Sequence, residues 1–229
     1  MGKRGVKAVM LVLAAGMCFT VAAQENAGAG FAVKGGTPGA GVEISMPFTS
    51  NFGGRLGVNY LIGAYNTTQE GIEYKADLNL FSIAGFVDWH PTGGSFRLSG
   101  GLLYNGNKVE GKAKIGDTIN IGDATYTAAE VGTLKAKATF ADIAPYAGIG
   151  WDTSFGKGKQ WGFVCDFGVV YQDSPGIKLT AKGGTLSDPD HPDYPLFLAE
   201  LEKEQKSLEK NVKDFKWYPV ITVGLMFRF

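Results

Sequence analysis

Apolar and polar residues alternate along several stretches of the chain, most clearly at the C-terminus. One face of the segment 219–229 is apolar throughout and consists of Ile221, Val223, Leu225, Phe227 and Phe229. The other face is polar or small at Thr222, Gly224 and Arg228, with Met226 as the exception. A period of two residues predicts a β-strand with two unlike faces.

The residues on the two faces favour a transmembrane β-barrel over a soluble β-sandwich, whose inward apolar face would produce a similar pattern. The polar faces are dominated by glycine, of which the chain has 34, with sparse single charges, as suits a narrow and crowded interior. The apolar faces carry aromatic residues near strand ends, as the two interfacial rings of such barrels do. These aromatic residues are Tyr60, Trp89, Tyr104, Trp151, Trp161 and Tyr171.

The predicted strands indicate an all-β fold, namely a transmembrane antiparallel barrel. Alternation predicts strands at 39–46, 54–62, 96–105, 161–172 and 219–229, and segments 72–89 and 143–151 are predicted as strands with poorer alternation. That makes seven, whereas a closed antiparallel barrel needs an even number. We therefore expect eight strands, and either the missing one lies in 27–36 or one of the segments above is divided incorrectly.

The N-terminus predicts export from the cytoplasm. Lys3, Arg4 and Lys7 precede an apolar run, and small residues follow at a cleavage site. This is the pattern of a secretory signal peptide, residues 1–23, which leaves a mature barrel of residues 24–229. A lipoprotein anchored through Cys18 is disfavoured, since Met17 stands where a small residue is needed. A signal peptide and a barrel together predict the outer membrane of a Gram-negative bacterium.

The lengths of the connections predict how the barrel is oriented. Short links at 47–52, 91–95 and 153–160 alternate with long ones at 106–138 and 173–215. Such barrels keep short turns in the periplasm and long loops outside. Phe229 then lies at the periplasmic end, where a C-terminal aromatic on an alternating strand resembles the signal recognised by the barrel-assembly machinery.

The loop 106–138 contains two Gly-Asp turns, so we expect the flanking strands to extend above the membrane as a twisted hairpin. Five lysines lie in this region: Lys108, Lys112, Lys114, Lys135 and Lys137. They are candidates to contact lipopolysaccharide phosphates, and the alternative is that they only solvate an exposed hairpin. The overall charge is near balance, which does not suggest a nucleic-acid partner.

The loop 173–215 carries the only helical pattern, a stripe of apolar residues at spacings of three and four between 198 and 215. A helix of this length is comparable with the width of the barrel, so it is a candidate lid for the barrel mouth. The stripe is too short to argue for a coiled-coil partner.

The sequence gives little support for a catalytic or metal-binding site. The chain has two histidines, His90 and His191, and neither has an evident nucleophile at the same end of the barrel. The acidic segment 187–194 is stiffened by prolines and lacks the glycines of a hard-cation loop. We expect no catalytic site, no metal and no cofactor, and Cys165 is best explained as a small apolar residue.

Polar residues on the inward faces are the candidate functional residues of the lumen. They are Glu43, Arg55, Asn59, Asp77, Asn79, Arg97, Tyr146, Asp166 and Gln172. Either the charges among them pair into a network that fills the interior, or they guide a small zwitterionic solute. An unpaired buried ion is costly, and eight strands leave room for little more than side chains.

Five segments in order along the chain resemble carbapenem-associated, ornithine-uptake-type outer-membrane porins. They are 33–41, 71–77, 116–122, 143–150 and 174–180, of which Gly-Asp-Thr at 116–118 and Ile-Ala-Pro-Tyr at 143–146 are the most specific. The resemblance implies an eight-stranded barrel with a prominent outer loop domain, and passage of small basic amino acids and carbapenems. This chain departs from the family in a shorter N-terminal lead-in and in its terminal Phe, and we carry over no binding residue.

Two functional hypotheses follow. The first is low-conductance passage of small solutes, with basic amino acids as candidates. The second is a closed structural or surface-interaction barrel, whose outer loops meet lipopolysaccharide or other partners.

Overall fold

The computed structural model describes residues 28–69 and 72–229. The predicted signal peptide lies outside the described residues. The strands are β1 (Gly30–Gly36), β2 (Gly39–Pro47), β3 (Phe52–Gln69), β4 (Ile72–Trp89), β5 (Phe96–Asn105), β6 (Lys108–Lys114), β7 (Thr118–Ile121), β8 (Ala124–Thr127), β9 (Gly132–Thr139), β10 (Ile143–Asp152), β11 (Trp161–Tyr171), β12 (Gly176–Gly183) and β13 (Trp217–Arg228). The helices are α1 (Ala128–Val131) and α2 (Tyr194–Val212), and a 3-10 turn spans Thr185–Ser187.

Eight of these strands form a closed antiparallel barrel in the order β1, β2, β3, β4, β5, β10, β11 and β13. The barrel closes where β13 pairs with β1, from Gly30 opposite Arg228 to Gly36 opposite Thr222. β1 is the strand expected within 27–36, so the prediction of eight strands is confirmed. Closure leaves no unpaired edge in the wall, as a lipid environment requires.

The outer surface of the barrel is apolar and edged by aromatic pairs at both ends. Side chains such as Leu56, Leu102, Phe163 and Val223 are more than half exposed. Pairs at the end with the short turns, which the connection lengths predict to face the periplasm, are Phe52–Trp89, Phe96–Trp151 and Trp161–Phe227. Pairs at the outer end are Phe81–Tyr104 and Tyr171–Trp217. A band of this kind between two aromatic rings is the lipid-facing surface of an outer-membrane barrel.

The wall continues beyond the outer aromatic ring as an open sheet, which we call the outer sheet. It consists of the upper halves of β3 and β4 followed by β6, β9 and β12. The register does not change at the boundary, because Ser82 lies opposite Asn105 in the barrel and Asn79 opposite Lys108 above it. The strands flanking the loop 106–138 therefore extend above the membrane as predicted, and β3, β4 and β12 extend with them.

Helix α2 packs on the face of the outer sheet that continues the barrel interior. Its Phe197 and Leu201 are buried in a cluster with Leu179 of β12, and Leu134 of β9 packs against this cluster. Leu179 also donates its backbone N–H to the side chain of Gln205 on α2, at 3.2 Å. The helix thereby covers the apolar face of the sheet at β9 and β12 and also the sheet edge at β12, which is how exposed edges are commonly protected.

The helix begins and ends earlier than the predicted 198–215. Pro195 stands in its first turn, where proline is tolerated because its missing N–H needs no partner. The apolar stripe runs on to Phe215, but that residue lies in the turn before β13 and is 66% exposed. No helix in the described ranges has the length and apolar character needed to cross a bilayer.

The outer sheet and α2 should unfold separately from the barrel when their shared core is weakened. We expect Phe197→Ala to destabilise this region by about 3–5 kcal/mol, because Phe197 is only 2% exposed. Hydrogen exchange of the amides in α2 and β12 should accelerate, while the barrel amides stay protected. Leu196→Ala, at a neighbouring position that is 70% exposed, is the matched control and should leave exchange unchanged.

Candidate functional site

The barrel interior is crossed by a network of charged side chains centred on Arg55 of β3. Arg55 is 3% exposed, and its guanidinium donates to Glu43 of β2, to Asp88 of β4 and to the hydroxyl of Ser99 on β5. The Arg55 Nη1 atom also lies 3.4 Å from the carboxylate of Asp166 on β11. One guanidinium thus connects four other strands across the lumen.

Asp166 is the second centre of the network, since three cations surround its carboxylate. The Lys34 ammonium lies 3.0 Å from it, and Arg97 Nη2 lies 2.7 Å from it. Arg55 is the third cation, and the Thr222 hydroxyl donates a further hydrogen bond at 3.1 Å. Lys34 also binds Glu43 at 2.6 Å, which closes a ring with Arg55.

The network continues to the periplasmic end through Asp152 of β10. The carboxylate of Asp152 accepts from Arg228 of β13 and lies 3.9 Å from Arg97. It also accepts from the Ser154 hydroxyl at 2.6 Å. Arg228 in turn lies over the ring of Phe155, with 5.5 Å to the ring centroid. The periplasmic opening is therefore filled by paired and packed side chains.

The charges of this network balance. Its cations are Lys34, Arg55, Arg97 and Arg228, and its anions are Glu43, Asp88, Asp152 and Asp166. Burying an ion without a partner costs several kcal/mol, and pairing with good hydrogen bonds offsets that cost. Together these side chains act as one electrostatic plug.

Glycines on the facing strands make room for these long side chains. Gly150 lies opposite both Arg97 and Asp166 in the register. A Cβ atom at Gly150 would stand 2.7 Å from the Asp166 carboxylate and 3.0 Å from Arg97 Nε. The glycine-rich inward faces seen in the sequence thus serve to hold the network.

A layer of apolar side chains lies in the lumen on the outer side of the network. Leu103, Tyr146, Val170 and Val220 are buried there together, and Phe86 packs against them. The ring of Phe86 also lies under the Arg55 guanidinium, at 4.8 Å, which joins this layer to the network. Free space is small, because the cavity between the layers offers about 30 Å³ to the centres of water molecules and a second, periplasmic one about 10 Å³.

Seven of the nine predicted lumen residues lie inside the barrel or at its mouth. Glu43, Arg55, Arg97 and Asp166 belong to the network. The other three surround it: Asn59 donates to Ser82, Tyr146 lies in the apolar layer, and Gln172 at the outer mouth accepts from Asn105 and donates to the carbonyl of Phe215.

Asp77 and Asn79 lie elsewhere, and their prediction needs correction. Both are exposed on the outer sheet, above the membrane-spanning part of β4. In β4 the inward positions are the even ones, as buried Ser82, Ala84 and Asp88 demonstrate. Odd positions face outward, and Asp77 accordingly pairs with Lys112 at 3.3 Å on the surface. Because apolar and polar residues alternate poorly in 72–89, the sequence did not reveal which positions of this strand face inward.

Four residues of the network were missed by sequence reasoning. Lys34 alternates with Phe31 and Val33 in β1, so the pattern of two would have found it once that strand was accepted. Asp88 lies in the poorly alternating segment 72–89. Asp152 lies one residue beyond the predicted strand 143–151, and Arg228 was assigned only to the polar face of the last strand. The sequence could not predict which residues they pair with.

Both histidines make hydrogen bonds within their own turns. His90 contacts the carbonyl of Gly94 through Nδ1 at 2.7 Å and stacks on Phe155 with ring centroids 3.5 Å apart. Burial in this periplasmic turn lowers the pKa of His90, which favours the neutral ring. His191 accepts a hydrogen bond from the backbone N–H of Asp193.

Comparison with known proteins identifies the fold. No model of a protein family and no curated protein sequence matches the chain. Among solved structures, CarO of Acinetobacter baumannii has 22% identity and a TM-score of 0.55, covering 87% of this chain and 97% of that one. CarO2 of the same organism has 20% identity and a TM-score of 0.57, covering 89% and 98%.

The fold is that of an outer-membrane β-barrel. CarO is a carbapenem-associated outer-membrane protein, so the resemblance suggested by the sequence segments is confirmed at the level of the fold. A major outer-membrane protein from Thermus thermophilus was also matched, with 15% identity and a TM-score of 0.45. The similarity to the two CarO structures shows this fold for the chain.

The network predicts a large cost for removing its central cation. We expect Arg55→Ala to lower the free energy of unfolding by about 3–5 kcal/mol, because Glu43 and Asp88 lose their shared partner. Urea-induced unfolding in lipid vesicles, followed by tryptophan fluorescence, measures the change.

The double variant Arg55→Ala/Asp88→Ala should cost less than the sum of the two single variants, since it removes a cation and an anion together. The control is the exposed pair Asp77 and Lys112, whose replacement by alanine should cost at most about 1 kcal/mol. Strict additivity of the Arg55 and Asp88 effects would contradict a coupled network.

Proposed function

We propose that the protein is a closed outer-membrane barrel whose role is to hold the outer sheet and α2 at the cell surface. The observation that carries this proposal is the balanced network around Arg55, which reaches from β2 and β3 to β5 and β11. A small barrel filled by paired side chains acts as a rigid membrane anchor rather than a channel.

The size of the free space supports the same conclusion. The larger cavity, about 30 Å³ for water centres, has room for about one or two waters. An amino acid of the size of ornithine would need the side chains of Arg55, Lys34 and Tyr146 to move apart. Moving them would separate buried ion pairs, each of which is costly to break.

Low-conductance passage of small solutes remains the second candidate. It is favoured by the presence of both charge signs around the larger cavity, where Glu43 and Asp166 face Lys34 and Arg55. A zwitterion could replace the ion pairs of the network with its own charged groups only if the paired side chains first separate. Passage therefore stays a prediction, with basic amino acids as its candidate solutes.

Solute uptake by proteoliposomes separates the two candidates. We expect vesicles containing the protein to swell no faster than empty vesicles in arginine, ornithine, glycine or a neutral sugar. Faster swelling in arginine and ornithine would instead support passage of basic amino acids and overturn the closed barrel.

A variant opened at the network provides the positive control for this measurement. Arg55→Ala/Asp88→Ala removes a balanced pair from the centre of the plug and should produce measurable swelling and planar-bilayer conductance. The matched control, Asp77→Ala/Lys112→Ala, removes an exposed pair on the outer sheet and should leave both quantities at the level of the parent.

We also propose that Phe229 is recognised by the barrel-assembly machinery. Phe229 is 71% exposed at the periplasmic end, beside Phe227 on the lipid-facing side. We expect Phe229→Ala to reduce the amount of assembled barrel in cells severalfold, measured by heat-modifiable migration in electrophoresis. Spontaneous folding of the same variant into detergent should be unchanged, and an equal defect in detergent would indicate a purely structural role.

A further inference from the structure

The outward face of the outer sheet is strongly basic. Eight lysines lie on it, and we call this surface the lysine face: Lys75, Lys108, Lys112, Lys114, Lys135, Lys137, Lys178 and Lys182. At β9 and β12 the opposite face of the same sheet is covered by α2 and the apolar cluster around Phe197. The lysine face is thus the side of the sheet that α2 does not cover.

The strand register places these lysines side by side. Lys75 of β4 lies opposite Lys112 of β6, which lies opposite Lys135 of β9. In the next row, Lys137 lies opposite Lys178 of β12. Like charges directly opposite one another on adjacent strands destabilise a sheet. The strand register therefore sets like charges side by side on this face.

Carboxylates compensate only part of this charge. Among the side chains that the structure describes, two ion pairs form on the face, Lys112 with Asp77 at 3.3 Å and Lys137 with Glu110 at 3.8 Å. Glu73 occupies a third acidic position, opposite Lys114 in the register. Eight lysines against three acidic residues leave a clear positive excess, which is complementary in charge to a polyanion.

The position of the lysine face indicates which polyanion it meets. Lys108, Lys112 and Lys114 continue the column of Leu102 and Tyr104, which faces lipid in the barrel, because the register is unbroken between β5 and β6. At about 3.3 Å per residue, Lys108 stands roughly 13 Å along the strand from Tyr104 of the outer aromatic ring. Headgroups of the outer leaflet begin at that ring.

We propose that the lysine face binds the phosphate groups of lipopolysaccharide in the surrounding outer leaflet. Lysine ammonium groups form charge-assisted hydrogen bonds with phosphate oxygens, and basic clusters next to a membrane bind anionic lipid headgroups. Binding would also relieve the repulsion between Lys75, Lys112 and Lys135. The proposal does not depend on whether solutes pass through the lumen. The result of the swelling experiment therefore leaves it unaffected, and the binding experiment below tests it independently.

The test compares two triple variants of the full mature chain with equal change of charge. Lys108→Gln/Lys137→Gln/Lys178→Gln removes one lysine from each of β6, β9 and β12. Lys206→Gln/Lys210→Gln/Lys213→Gln removes three exposed lysines in and just after α2 and is the matched control. Both are folded in detergent, checked by heat-modifiable migration, and titrated with purified lipopolysaccharide while tryptophan fluorescence or calorimetry reports binding.

We expect the lysine-face variant to bind lipopolysaccharide about tenfold more weakly or worse than the parent, and the control to stay within about twofold. Chemically dephosphorylated lipopolysaccharide should bind the parent and both variants equally weakly. Equal affinity of the parent and the lysine-face variant, or an equal loss in the control, overturns the proposal. A preference for phosphatidylglycerol vesicles over lipopolysaccharide likewise overturns it.

A charge reversal provides a second test, because a surface that is only solvated would show no loss of lipopolysaccharide affinity. Lys135 lies opposite Lys112, so Lys135→Glu replaces a repulsion with an attraction. We expect this variant to raise the thermal stability of the outer sheet in lipopolysaccharide-free detergent and to lower lipopolysaccharide affinity severalfold. A variant that gains stability without losing affinity contradicts the proposal.

Discussion

The whole structure depends on one constraint, that every backbone N–H and C=O within the bilayer must find its hydrogen-bond partner inside the protein. The pairing of β1 with β13 meets this constraint by closing the wall. Closure forces each strand to present one face to lipid and the other to the lumen. The alternation seen in the sequence, with Phe227 outward and Met226 inward, follows directly from it.

Closure of a small barrel also creates a confined interior in which charges cannot be left alone. Arg55 and Asp166 are stabilised there because several strands supply opposite charges to the same point, and glycines such as Gly150 leave space for them. The same unbroken register carries the wall out of the membrane. Beyond the outer aromatic ring the surroundings of the outward face change from lipid to headgroups and water, and its residues change from Tyr104 to Lys108.

Sequence periodicity found the interior residues wherever alternation was clean. Glu43, Arg97 and Asp166 lie on well-alternating strands, and the structure places them in the lumen. Asp77 lies on a strand with poor alternation, and its parity could be assigned only from its pairing with β3 and β6. A shift of one residue exchanges the two faces of a strand, so the error was complete rather than partial.

The sequence by itself determined the class of fold, seven of the eight barrel strands, the outward lipid-facing residues and the existence of an extended outer region. These properties are local, because a period of two and the lengths of connections are readable along one chain. Only the tertiary structure decided which charges meet, that α2 covers the inner face of the outer sheet at β9 and β12, and that the lysines of four strands share one surface. Contacts such as Lys34 with Asp166 join residues far apart in the chain, and only the closed strand order brings them within 3.0 Å.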